Sequence, residues 1–228
     1  TSKVNYEDFS ANPQILKQAQ RIDFWNTYSE ILDQRLFDKG YSFASFLLEE
    51  LDRPSSRRDP HDLPEEWVQT VRKFVQGAGV MKKSQKAYYK ALARCCMSQC
   101  LYFADGRFSV TPGRVDRGSE TEREFLKKCI DLLLLGQQEL QPFKSKQARL
   151  LQLKIICSLC VFAIKTGNQE FWELQKGSLL EFLEAQKDSG QRAFEIKAAI
   201  RLLLNSPSVE TFGAETETEV SGVGAGSP

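Results

Sequence analysis

From Leu150 to Ile164 the chain reads Leu-Leu-Gln-Leu-Lys-Ile-Ile-Cys-Ser-Leu-Cys-Val-Phe-Ala-Ile, and the second half of this stretch has no polar side. A helix that is apolar all round gains nothing from water on any face, so it has to be covered by other helices. The segment from about 145 to 166, stopped by Gly167, is therefore expected to be a buried central helix. Apolar residues recur at three and four through most of the remaining chain, and alternation at two is scarce. The fold class that follows is all-α: an irregular antiparallel helical bundle or short α-solenoid of about seven or eight helices.

Working outward toward the C-terminus, Asn168 restarts the chain into Phe171 and Trp172, and Gly177 reads as a break before a Ser178/Glu181 capping box. A last helix runs from Gln191 to Leu204, closed by Asn205 and Pro207. Toward the N-terminus, a Ser119/Glu122 capping box opens a helix with Phe125, Cys129, Ile130 and Leu132 to Leu135, ending at Gly136. Before it lies a helix from about Lys82 to Phe103, with Ala87, Ala91, Cys95, Met97 and Leu101 on its apolar side. The turn signals Asp105-Gly106 and Pro112-Gly113 leave room for a short hairpin between them.

Pro64 starts a helix with Trp67, Val68, Val71, Phe74 and Val75 on one face, ended by Gly77 and Gly79. Ser42 opens a shorter one carrying Phe43, Phe46, Leu47 and Leu51, stopped before Pro54. Asn12-Pro13 begins the first helix, whose stripe of Ile15, Ala19, Ile22, Trp25, Tyr28, Leu32 and Leu36 ends near Gly40. No fixed repeat period is present. The domain reading is one helical domain over 1–205 and an acidic, low-complexity tail over 206–228.

The chain has 228 residues and a formal net charge of +1, and the stretch after Arg201 holds four glutamates and no base, which leaves the remainder at +5. That is mildly basic and short of the bias of a dedicated nucleic-acid binder. The longest purely apolar run, Leu159 to Ile164, is far shorter than the ~20 residues a bilayer span needs, so no membrane is expected as a partner. There is no basic-then-apolar start of the signal-peptide type, and because the chain opens at Thr1 without a methionine it is expected to be a domain cut from a longer protein. Cysteines at 95, 96, 100, 129, 157 and 160 fall inside apolar helical patterns, which suits small core residues in a reducing compartment, cytoplasm or nucleus.

Chemistry has few footholds. His61 is the sole histidine and sits in a charged loop, and no Glu-x-x-His pair is present, so neither a helical metal-phosphohydrolase site nor a di-iron site can be assembled. Cys157/Cys160 and Cys96/Cys100 have spacings that zinc uses, but they lie mid-helix among Ile, Leu, Val and Phe rather than on turns. Glu65 and Glu66 follow Pro64, where the helix dipole favours acids. No catalytic residue, cofactor or metal is expected.

One surface feature carries content. Lys83, Lys86, Lys90 and Arg94 recur every three or four residues on one helix face, with Tyr88 and Tyr89 beside them. Arg57 and Arg58, and Arg107, Arg114 and Arg117, would enlarge this face if the fold gathers them. Such a face is a solvated polar side, a dock for an acidic protein segment, or a phosphate-binding surface. Because adjacent aromatics cannot both point inward, one member of Phe24/Trp25 and of Phe171/Trp172 is available to line a groove for an amphipathic partner. The expected function is a non-enzymatic scaffold or adaptor domain within a larger intracellular complex. A nucleic-acid-binding module using the Lys83–Arg94 face is the alternative.

Overall fold

The computed structural model describes residues 13–53, 62–77, 81–104 and 120–184. They form α1 (Pro13–Asp33), α2 (Phe37–Asp52), α3 (Glu65–Gly77), α4 (Lys83–Ala104), α5 (Glu120–Leu140), α6 (Lys146–Thr166) and α7 (Gln169–Glu184), with no strand among the described residues. The protein is an all-α helical bundle. The hairpin read at 105–118, the helix at 191–204, the tail at 206–228 and residues Arg57, Arg58 and His61 lie outside the described residues. Two compact units divide the chain, Thr1–Ile155 and Ile156–Pro228, and the division falls within α6.

In the first unit α4 lies between α2 and α5. The Phe37 ring stands 5.7 Å from that of Phe103, while at the other end Asp52 is 3.1 Å from Lys90, so α2 and α4 run antiparallel. On the α5 side, the Ser98 hydroxyl donates to the Cys129 carbonyl at 3.1 Å and Arg94 meets Glu139, again antiparallel. At roughly 100° per residue, Ala93, Cys96 and Cys100 face α2 while Ala91 and Ser98 face nearly the opposite way. All five are buried. These side chains are small, so the helices approach closely.

Glycine completes both seams. A Cβ on Gly40 of α2 would fall 2.7 Å from Cys100 Sγ, and one on Gly136 of α5 would lie 3.5 Å from the Ala91 backbone. Read in sequence, Gly40 and Gly136 were helix stops. In the structure both sit inside helices, at crossings, where the missing side chain lets backbones close up. The real end of α1 is seven residues before Gly40. There the Leu36 N–H donates to the Ile31 carbonyl and the Arg35 N–H to that of Leu32, with Arg35 at φ +57°. This is a Schellman turn with arginine in the left-handed position where glycine is usual. α2 therefore starts at Phe37 and not at Ser42.

The buried face of α1 and of the turn after it also differs from the stripe that periodicity predicts. Phe24, Tyr28 and Ile31 are buried, while Ile22 and Leu36 are largely exposed. Phe24 stacks at 5.0 Å on Phe43 of α2 and contacts Phe74 of α3 at 4.7 Å, and Phe43 meets Trp67 at 6.3 Å. This aromatic cluster joins α1, α2 and α3. Between α2 and α3, buried Glu50 lies 4.0 Å from Arg72, whose guanidinium also covers the Phe46 ring.

Ser145, just before α6, caps its first turn, its hydroxyl accepting from the Ala148 N–H. Leu151, Leu153, Ile155, Ile156, Leu159, Cys160, Phe162 and Ala163 are buried and cover roughly 200° of its circumference. Lys154 and Val161 mark a narrow strip that faces water. By length and composition alone α6 is apolar enough to cross a bilayer, with mean hydropathy 1.6, although half of that window is buried inside the fold.

In the second unit, Gly167 at φ +64° ends α6 through the same Schellman pair, Asn168 N–H to the Ala163 carbonyl and Gly167 N–H to that of Ile164. The Asn168 side chain then accepts from the Phe171 N–H and starts α7. Trp172, Gln175 and Leu179 form the buried stripe of α7, and Leu174 and Leu180 lie outside it. The break read at Gly177 does not occur: α7 runs through it, with open space where a side chain would be.

Candidate interaction surface

Lys83, Lys86, Lys90 and Arg94 do share one side of α4, but their charge is largely engaged within the chain. Arg94 makes a two-pronged bond to Glu139 of α5, at 3.1 and 3.2 Å. Lys90 bridges Glu139 and Asp52 of α2, at 3.1 Å to each. Lys86 approaches the same Asp52 at 3.8 Å, and Lys83 is exposed. Burial pulls the Lys90 pKa down, but hydrogen bonds and charge from Glu139 and Asp52 outweigh it and hold the ammonium above the ordinary lysine value. The stripe thus ties three helices together, and sequence spacing had no means of announcing Asp52 and Glu139 as its partners.

Tyr88 and Tyr89 are also committed to packing. Tyr89 meets Phe74 edge-on at 5.1 Å, and the Arg21 guanidinium lies 5.8 Å over its ring. Burial raises the pKa of both phenols. Trp25 and Phe171 are the half-buried members of their pairs, and Phe24 and Trp172 the buried ones.

The cysteines are thiols and not thiolates at neutral pH. Burial pushes Cys95, Cys96 and Cys160 up to about 12, and Cys129 and Cys157 up to about 11. The Tyr28 hydroxyl donates to the Cys96 carbonyl at 3.2 Å and lies 3.5 Å from Cys100 Sγ. As the unfolded chain ionises these groups nearer pH 9, folding loses stability as pH rises through that value. A protonated thiol is neither a nucleophile nor a metal ligand. Among the described residues no three His, Cys, Asp or Glu side chains are grouped to hold a metal ion.

Two surface features remain, at opposite poles of the first unit. At one, Leu36 and Phe103 are 39% and 45% exposed, and the half-buried Phe37 ring lies tilted 5.7 Å from that of Phe103. At the other, the end of α2, the start of α4 and the link from α5 to α6 expose Arg53, Lys82, Lys83, Lys144 and Lys146. Local sequence pattern marks neither: periodicity puts Leu36 on the buried stripe, and the bases of the second pole are scattered along the chain. Compared with protein families, curated proteins and solved structures, the chain matches none.

Proposed function

We propose that this chain is a non-enzymatic interaction module, an adaptor or scaffold element that binds other proteins through its outer surface. The observation that carries this reading is the apolar corner of Leu36, Phe37 and Phe103. A large aromatic left half in water is an unused source of binding free energy, and burying it against a partner gains roughly 25 cal/mol per Å². An amphipathic helical segment that lays its apolar face across this corner is the partner such a surface suits.

The reactive groups support the same reading, because Cys96, Cys100, Cys129 and Cys160 are buried, Cys95 and Cys157 half-buried, and the carboxylates Asp52 and Glu139 are taken up by lysine and arginine. A nucleic-acid surface along α4 is disfavoured because Lys90 and Arg94 would have to leave Glu139 to reach phosphate. The test is affinity purification of the full chain from cells, wild type beside Leu36→Ser/Phe103→Ser, with mass spectrometry of what is retained. Loss of a defined protein partner in the variant, with an unchanged helical circular dichroism spectrum, is the expected result. Identical partner sets from both chains would overturn the reading.

A further inference from the structure

Four helix ends meet at the pole opposite the apolar corner: the ends of α2 and α5 and the starts of α4 and α6. Lys90 joins the end of α2 to the end of α5 through Asp52 and Glu139, at 3.1 Å to each. α6 starts at the same pole and runs back along α5, since Gln152 donates to the Leu140 carbonyl at 2.7 Å and Ile155 lies against Gly136. Topology therefore brings Arg53, Lys82, Lys83, Lys144 and Lys146, all exposed, to one end of the first unit. Among the described residues the acids here are Asp52 and Glu139, already engaged by Lys86, Lys90 and Arg94, and exposed Glu49 one turn before Arg53. Positive charge is in surplus.

A second observation concerns where the lysines sit. A helix start carries a partial positive charge, so acids belong in the first turn and lysines do not. α2 has Asp38 there, and α3 has Glu65 and Glu66. α4 and α6, which both start at the lysine pole, have no acid in their first turns. Instead Lys82 and Lys83 open α4, and Lys144 and Lys146 flank the Ser145 cap of α6. Lysine repels both the dipole and its neighbouring lysines at these positions, and an anionic partner relieves both. Departures from local preference of this kind concentrate where a surface is used.

We propose that this lysine pole docks an acidic polypeptide segment, a run of glutamate and aspartate side chains in a partner protein. Separate ammonium groups suit separate carboxylates. A phosphodiester backbone is better held by arginine forks, of which the described residues of the pole offer one, Arg53. The proposal reaches beyond the apolar-corner reading to a second surface and stands without it.

The test is fluorescence anisotropy of a labelled oligoglutamate peptide titrated with the full chain, at low and at physiological salt. Wild type binds, more weakly as salt rises. Lys83→Glu/Lys146→Glu binds about tenfold more weakly or worse, because four units of charge are reversed at an exposed surface. Its melting temperature is equal to or above that of wild type, since the new acids sit at helix starts, so unfolding does not explain the loss. No binding by wild type, or equal binding by the variant, overturns the proposal. Tighter binding of a single-stranded oligonucleotide of equal charge overturns it in favour of a phosphate partner. Leu36→Ser/Phe103→Ser retains oligoglutamate binding, which separates the two surfaces.

Discussion

α4 and α6 both contain closely spaced cysteines and both carry a broad buried face, yet by opposite means. α4 is buried by closeness: Ala91, Ala93, Cys96, Ser98 and Cys100 let α2 and α5 come near, with glycine from each partner at the crossing. α6 is buried by bulk: Leu151, Leu153, Ile155, Ile156, Leu159 and Phe162 fill space around it. The difference teaches how each helix fails. A seam of small residues has no room for added atoms, whereas a bulky helix leaves a void when atoms are taken away.

Deletion on α6 is the larger of the two effects. Leu159 is fully buried, so Leu159→Ala loses its transfer free energy and opens a cavity, and is expected to destabilise by about 3 kcal/mol in urea denaturation. Val161→Ala, on the water-facing strip, changes stability by about 0.5 kcal/mol or less. Similar losses at the two positions would show that α6 is not held by bulk on one side.

Addition on α4's seams comes next. Gly40→Ala puts a methyl 2.7 Å from Cys100 Sγ and 3.2 Å from Ile31 Cγ2. Overpacking of about 1–3 kcal/mol outweighs the gain of about 1 kcal/mol in helix propensity, for a net loss near 1 kcal/mol. Combined with Cys100→Ala the added methyl has space, so Gly40→Ala becomes neutral or stabilising on that background, a coupling that a double-mutant cycle reads directly. At the α5 seam the nearest atoms to a new Cβ are at 3.5 Å, ordinary contact, so Gly136→Ala is stabilising by up to about 1 kcal/mol. Equal effects at Gly40 and Gly136 would mean that the two seams are not packed to different closeness.

Those glycines also show what was legible in the sequence and what was not. The helical class, the helix from Lys82 to Phe103, the stop at Gly167 and the start at Asn168 all rest on local periodicity and capping, and local rules read them correctly. Gly40, Gly136 and Gly177 carry the same letter as Gly167 but end nothing. Whether a glycine stops a helix or admits a neighbour depends on what packs against it, and that partner is distant in the chain. The interaction surface was legible only in part for the same reason. Spacing along α4 finds four bases on one face, but Asp52 and Glu139, which take up three of them, come from other helices. The lysine pole is assembled from three places in the chain, and nothing in any one of them marks it.

The smallest effect tests the two turns that share one geometry. α1 and α6 both end in a Schellman pair, with Arg35 at φ +57° in one and Gly167 at φ +64° in the other. A side chain in the left-handed region crowds its own carbonyl by about 1 kcal/mol, and glycine removes that at the expense of a more flexible unfolded chain. Arg35→Gly is therefore expected to stabilise the fold by about 0.5 kcal/mol, and Gly167→Ala to destabilise it by about 1 kcal/mol, both by chemical denaturation. Nothing lies within 4 Å of a Cβ at Gly167, so any loss there comes from the backbone and not from a clash. Opposite signs at the two positions would establish that the turn, rather than the residue occupying it, ends each helix. A loss on Arg35→Gly would instead mean that the arginine side chain itself holds the junction between α1 and α2.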